Sequence, residues 1–131
     1  MPVRYAIHKK LRLVLTVGEG VVTFDEIKAH QDRLLSDPGF DPSFNQLIDV
    51  TASTNLDLSA DEAKRIARRR ILSSGSRRAY VAKSPHIFGM GRLMEVYHEQ
   101  HAEVEVHIFD DRDAALKWLG IEEGSGLYGS S

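Results

Sequence analysis

A chain of 131 residues with 42% hydrophobic and 27% charged side chains is one domain with material for a single substantial core, which excludes a disordered or fibrous protein. It has no cysteine, so disulfides, thiolate metal sites and cysteine nucleophiles are excluded, and a reducing compartment fits. The net charge of −2 hides a concentration: residues 64–78 hold 7 of the 17 Lys and Arg and none of the 19 Asp and Glu.

The N-terminal stretch MPVRYAIHKK lacks the apolar centre of a signal peptide, and no run approaches the roughly 18 apolar residues of a membrane span. A cytoplasmic protein is expected, with peripheral association at a membrane as its one route to lipid. Val3, Tyr5 and Ile7 alternate with polar or small residues, as do Leu11, Leu13, Leu15 and Val17, so two strands are predicted around a Lys9-Lys10 turn. Gly18-Glu19-Gly20 is expected to break the second strand.

Thr23 and Glu26 form a capping box ahead of a first helix, whose buried face is predicted to carry Phe24, Ile27, Leu34 and Leu35. Asp37-Pro38-Gly39 ends that helix. A third strand is expected from about Phe44 to Val50, then a polar loop, Thr51 to Asn55. Ser59 with Glu62 opens a second helix with apolar residues Ala63, Ile66, Ala67 and Ile71, ending near Gly75. Arg70 falls inside that apolar arc.

Ala79-Tyr80-Val81-Ala82 reads as a buried parallel strand. Ser84-Pro85 starts a third helix with Ile87, Met90, Met94 and Tyr97 inward and Gly91 on the same face, where it permits close approach to the sheet. Val104, Val106 and Ile108 form a fifth strand. Asp110 or Asp111 caps a last helix with Ala114, Ala115, Trp118 and Leu119 inward, and Gly120 ends it. Residues 1–120 form the domain, and residues 121–131 are expected to be a flexible tail.

The order β-β-α-β-α-β-α-β-α predicts a single α/β layered domain: a mixed, mostly parallel five-stranded sheet with four helices. Ligands of such sheets gather at the carboxyl ends of the strands. There the sequence offers Asp49, Thr51 and Ser59 at one helix N-terminus and Lys83, Ser84 and Arg92 at another, with Arg70 as a further cation. These seven are the predicted ligand-binding residues, suited to an anion by free N–H groups and positive charge. Lys64, Arg65, Arg68 and Arg69 lie on the outer side of the second helix and are predicted to meet an anionic surface. No base-stacking aromatics are interleaved with them, so nucleic acid is not expected. His98, His101 and His107 lack a consistent ligand set, and no catalytic constellation or phosphate-loop spacing is present, so no metal, no cofactor and no enzyme activity are expected.

The stretches GEGVVTFDEI, DPGFDP, LIDVTAS, GMGRLMEVY and FDDRDAALKWL, in this order over about residues 3–119, give the chain a resemblance to the STAS domain of bacterial anti-sigma-factor antagonists. It resembles more closely the SpoIIAA-like group, whose fold is also similar to the lipid-carrying CRAL-TRIO (Sec14) domain. The antagonists carry Asp-Ser-Ser-Gly where this chain has Asp57-Leu58-Ser59-Ala60. Asp57 and Ser59 match, and Leu58 and Ala60 depart. The resemblance implies a non-enzymatic binding module for a lipid-like or anionic small molecule seated under the helices, with membrane association. The alternative it implies is a protein-interaction switch with a regulatory protein partner, controlled by phosphorylation of Ser59. A homodimer is a further expectation. A receiver domain is excluded because the first strands end in Lys9-Lys10 and Gly18-Glu19-Gly20 rather than in a paired acidic pocket.

Overall fold

The structure, a computed structural model, describes residues 2–101, 104–122 and 127, with residues 98–101 described by their backbone alone. Alternating apolar residues form β1 (Val3–His8), β2 (Leu13–Thr23), β3 (Asn45–Asp57), β4 (Arg77–Val81) and β5 (Glu105–Phe109). Between and after them lie α1 (Phe24–Ser36), α2 (Ala60–Arg68), α3 (Pro85–His101) and α4 (Arg112–Trp118). The strands lie in the order β1-β2-β3-β4-β5. β1 is antiparallel to β2, and the remaining pairs are parallel. Stepping always in one direction with crossovers of one hand places α1, α2 and α3 together on one face. α4 covers the other.

The two faces follow from strand parity. Leu13, Leu15, Leu47, Ala79 and Val81 point towards α4, where Ala115 and Leu119 meet them. Val14, Val50, Ala82 and Ile108 point towards the three-helix layer, where Leu34, Ile66, Ile87 and Met94 are buried. Leu13, Leu34 and Leu47 are completely buried, and each contributes about 1.5–3 kcal/mol relative to an exposed position.

Several local expectations are corrected. β2 does not break at Gly18-Glu19-Gly20. It runs to Thr23 beside β3 through two register shifts, and Gly20 takes a left-handed φ of 63° that a side chain would resist. The polar segment Thr51–Asn55 is therefore strand, not loop, because it pairs with that extension of β2. On α1 the inward residues are Ile27, His30, Gln31 and Leu34, whereas Leu35 is exposed. Positions 27, 30, 31 and 34 form one helical stripe, and Leu35 lies about 100° away from Leu34.

Further along, α2 ends at Arg68, with Arg69 extended at φ −73°, ψ 127°. Gly75 has a positive φ but sits in the turn closed by Ser76 N–H on Ser73 O. Arg70 thus lies beyond the helix and is exposed, not within an apolar arc. Within α4, Ala114 is likewise exposed. Ile121 and Leu127, assigned to the tail, pack on the α4-side core. The other tail positions from residue 123 on lie outside the described residues.

The helix boundaries obey their capping signals. Thr23 and Glu26, and Ser59 and Glu62, form reciprocal capping boxes, and Asp111 caps α4. Gly91 lies so close to β5 that a Cβ there would come within 2.6 Å of Ile108 Cδ1. That contact sets the spacing of α3 from the sheet. No helix among the described residues is long and apolar enough to cross a membrane.

Candidate functional site

A cavity of ≈ 90 Å³ lies between the sheet and α1, α2 and α3. Its walls are mostly apolar, with Val50, Leu58, Ile66, Ile87, Met90 and Met94 among them. On its sheet side, however, three neighbouring strands present polar side chains: Thr16 from β2, Gln46 from β3 and Arg78 from β4. Gln46 and Arg78 are direct partners in the parallel register. α1 adds His30 from above.

These four residues form a hydrogen-bonded chain. Arg78 Nε–H donates to Gln46 Oε1 at 2.8 Å. Gln46 Nε2–H donates to Thr16 Oγ1 at 2.9 Å, and Thr16 Oγ1 lies 3.2 Å from His30 Nε2. All four side chains are buried, Arg78 with 5% of its surface exposed. Among the described residues, no carboxylate comes within ion-pair distance of Arg78. A cation removed from water without a counter-charge costs several kcal/mol, so its presence on a cavity wall calls for a reason.

The electrostatics agree with that description. Burial, then the charges of Arg33 and Arg78, push His30 down to about 4, so it is neutral near pH 7. Burial pushes the Tyr80 phenol up, opposed by the charge of Arg78 and by a hydrogen bond with it. Arg78 is thus a single positive charge among neutral polar groups.

None of the seven ligand-binding residues singled out in sequence lines this cavity, and of them the structure bonds Asp49 to Thr51. Asp49 lies on the α4 face, where Arg112 Nη2 is 2.8 Å from its Oδ2 and Thr51 donates N–H and O–H to its Oδ1. Ser59 caps α2, its Oγ accepting from Glu62 N–H at 3.1 Å. Lys83 is exposed and Ser84 half-buried. Arg92 is exposed, lying over the Phe88 ring at 5.2 Å and 3.6 Å from Glu95. Arg70 is exposed beyond the end of α2.

On α2, Lys64 and Arg65 fold over Tyr97 and Phe24, at 5.6 and 5.2 Å from the ring centroids. Arg68 is exposed. Arg69 is committed elsewhere: it pairs with Asp32 at 2.5 Å and donates to Gln31 Oε1, joining α2 to α1. Its extended backbone at the C-cap turns it towards α1 and away from the outer face. The side chains of His98 and His101 lie outside the described residues, and His107 stacks edge-on against Trp118 at 4.8 Å.

Sequence reasoning missed Thr16, His30, Gln46 and Arg78 as a group. A signal was present: Thr16 is in phase with Val14, Gln46 with Ile48 and Arg78 with Tyr80.

Compared with solved structures, the chain is similar to an uncharacterized protein of the DUF3478 family with a SpoIIAA-like fold, from Shewanella loihica PV-4. The TM-score is 0.60 at 19% sequence identity, over 89% of this chain and 93% of that one. The likeness establishes the fold: the protein has the SpoIIAA-like architecture expected from its ordered stretches. No family model matches the sequence. No curated protein matches it either.

Proposed function

We propose that this protein is a non-enzymatic binding module for a small amphipathic anion, held in the cavity beneath α1, α2 and α3 with its acid group at Arg78. The observation that carries this reading is the buried Arg78, with no carboxylate in range among the described residues, on the wall of an otherwise apolar cavity. A bound acid would supply the missing counter-charge, and the apolar walls would cover its body. Among the described residues no arrangement of nucleophile, base and orienting group accompanies Arg78, which favours binding over catalysis.

Native mass spectrometry of the protein as purified, set against the denatured protein, tests this directly. A mass excess seen only in the native spectrum, and absent from Arg78→Met, is the expected result. An excess retained by folded Arg78→Met would place the ligand elsewhere. No excess, and no saturable binding of any amphipathic acid, would remove the reading.

The outer side of α2 supports an accompanying role at an anionic surface. Lys64, Arg65 and Arg68 have no carboxylate within ion-pair distance among the described residues, and the same helix roofs the cavity through Ile66. Co-sedimentation with anionic but not neutral vesicles at low salt, lost in Lys64→Glu/Arg68→Glu, is the corresponding expectation.

A further inference from the structure

The sense of the hydrogen-bonded chain restricts what the cavity accepts. Arg78 has donors only, so its bond to Gln46 assigns Oε1 as the acceptor and leaves Nε2–H to donate to Thr16. With Thr16 Oγ1 already accepting, its own proton is placed by donation to His30 Nε2. His30 then carries its proton on Nδ1, which has no partner among the described residues. The reverse assignment would leave both the Thr16 proton and Nδ1 unmatched. The polar groups therefore run in one direction, with the donors and the positive charge of Arg78 at the end that faces the cavity.

Resting on the anion-binding reading above, we propose that the ligand is a compact monocarboxylic acid, its carboxylate accepting from Arg78 and its short acyl group filling the apolar end. Three observations carry the assignment. Arg78 supplies one positive charge, and Thr16, Gln46 and Tyr80 beside it are uncharged, so one negative charge balances the cavity and two would not. That buried charge repels an ammonium group. The volume of ≈ 90 Å³ is smaller than the cavity of about 150 Å³ that takes up benzene, which suits an acid of no more than about four carbons rather than a full lipid tail.

Isothermal titration with acetate, butyrate, hexanoate, benzoate, palmitate, butyl phosphate, hexanol and hexylamine tests the assignment. Affinity should rise about 4-fold per methylene from acetate to butyrate, and hexanoate and benzoate, which exceed the cavity, should gain nothing further. Hexanol and hexylamine should not saturate the site, and butyl phosphate should bind at least ~10-fold more weakly than hexanoate. Arg78→Met should cost at least ~10-fold for hexanoate. Leu58→Trp, which intrudes on the apolar wall and leaves the polar chain intact, should weaken hexanoate more than acetate.

Tighter binding of butyl phosphate would overturn the monocarboxylate assignment and tighter binding of palmitate its compactness; either, still dependent on Arg78, would leave the broader anion reading standing. Hexanol or hexylamine binding as well as hexanoate, or hexanoate binding unchanged in folded Arg78→Met, would overturn both.

Discussion

Arg78 and Gln46 are register partners on adjacent parallel strands, and the 2.8 Å bond from Arg78 Nε–H to Gln46 Oε1 orders the polar interior. Gln46 bridges the buried cation to Thr16. Gln46→Leu is therefore expected to destabilise by about 1–3 kcal/mol, because it strips Arg78 of one acceptor in a buried setting and leaves it only the Tyr80 hydroxyl among the described partners. Arg78→Met should cost little: removing an uncompensated charge offsets the acceptor left orphaned on Gln46. The double variant Arg78→Met/Gln46→Leu should recover most of the Gln46→Leu loss, giving a coupling of at least ~1 kcal/mol in urea unfolding. Additive effects would show that the pair is not energetically joined.

Acid sensitivity follows from His30. Its folded-state value of about 4 lies below the ordinary 6.5, so between these values the unfolded chain takes a proton that the folded chain refuses. Stability contributed by the neutral ring is present above pH 6.5, falls as pH drops through 6.5 to 4, and is lost below about 4. The full loss is about 3 kcal/mol. Asp32, Asp37 and Asp41 are also held below the usual carboxylate range, by Arg69, by Gly39 N–H and by Ser43 N–H first among their causes. Their contributions are lost at lower pH than that of His30. Denaturant unfolding at about pH 7, 6, 5 and 4 should give a slope that flattens in His30→Phe. An unchanged slope would mean that another group sets it.

The fold was legible because its signals are local. Capping boxes at Thr23 and Ser59, the caps at Asp111 and Gly120, alternation in β1, β2 and β5 and the apolar runs of β3 and β4 each fix one element, and their order leaves few topologies. The site was not legible, because it is assembled across three strands and a helix from residues 16, 30, 46 and 78. Arg78 is the last of the seven cations of residues 64–78, of which Lys64, Arg65, Arg68 and Arg69 read as an outer face, and only its parity with Tyr80 turns it inward. Reading Thr51–Asn55 as a loop had a related cause. Hydroxyl-rich composition suggests a turn, whereas pairing with β2 beyond Gly18 makes it strand. That misreading moved attention from the helix-covered face to the strand ends.

Ser59 offers a prediction that separates capping from signalling. Its Oγ accepts from Glu62 N–H, and its own N–H donates to Glu62 Oε1 at 2.9 Å. Ser59→Ala should therefore lower stability by about 1 kcal/mol through the loss of an N-cap. Ser59→Asp should be nearly neutral, since aspartate caps as well as serine does. A phosphate on Ser59 would face Asp57, Asp61 and Glu62 close by in sequence, where repulsion opposes it. Thermal unfolding of the two variants checks the capping account, and equal losses in both would contradict it.

Gly91 and Ile108 set the clearance between α3 and the sheet. A methyl group at position 91 would lie 2.6 Å from Ile108 Cδ1, 2.8 Å from Cγ1 and 3.2 Å from Cβ. Alanine improves helix propensity by about 1 kcal/mol over glycine, but Ile108 is buried and its Cβ belongs to a strand held on one side by β4. The clash should win, so Gly91→Ala is expected to be destabilising by about 1–3 kcal/mol. Ile108→Ala removes Cδ1 and Cγ1 and should cost about 2–5 kcal/mol alone through the cavity it opens. In the double variant the methyl introduced at position 91 occupies part of that space, and helix propensity then counts in full. Gly91→Ala should accordingly become neutral or stabilising in the Ile108→Ala background. If it remained as harmful there as in the wild type, the contact with Ile108 would not be the reason for glycine at this position.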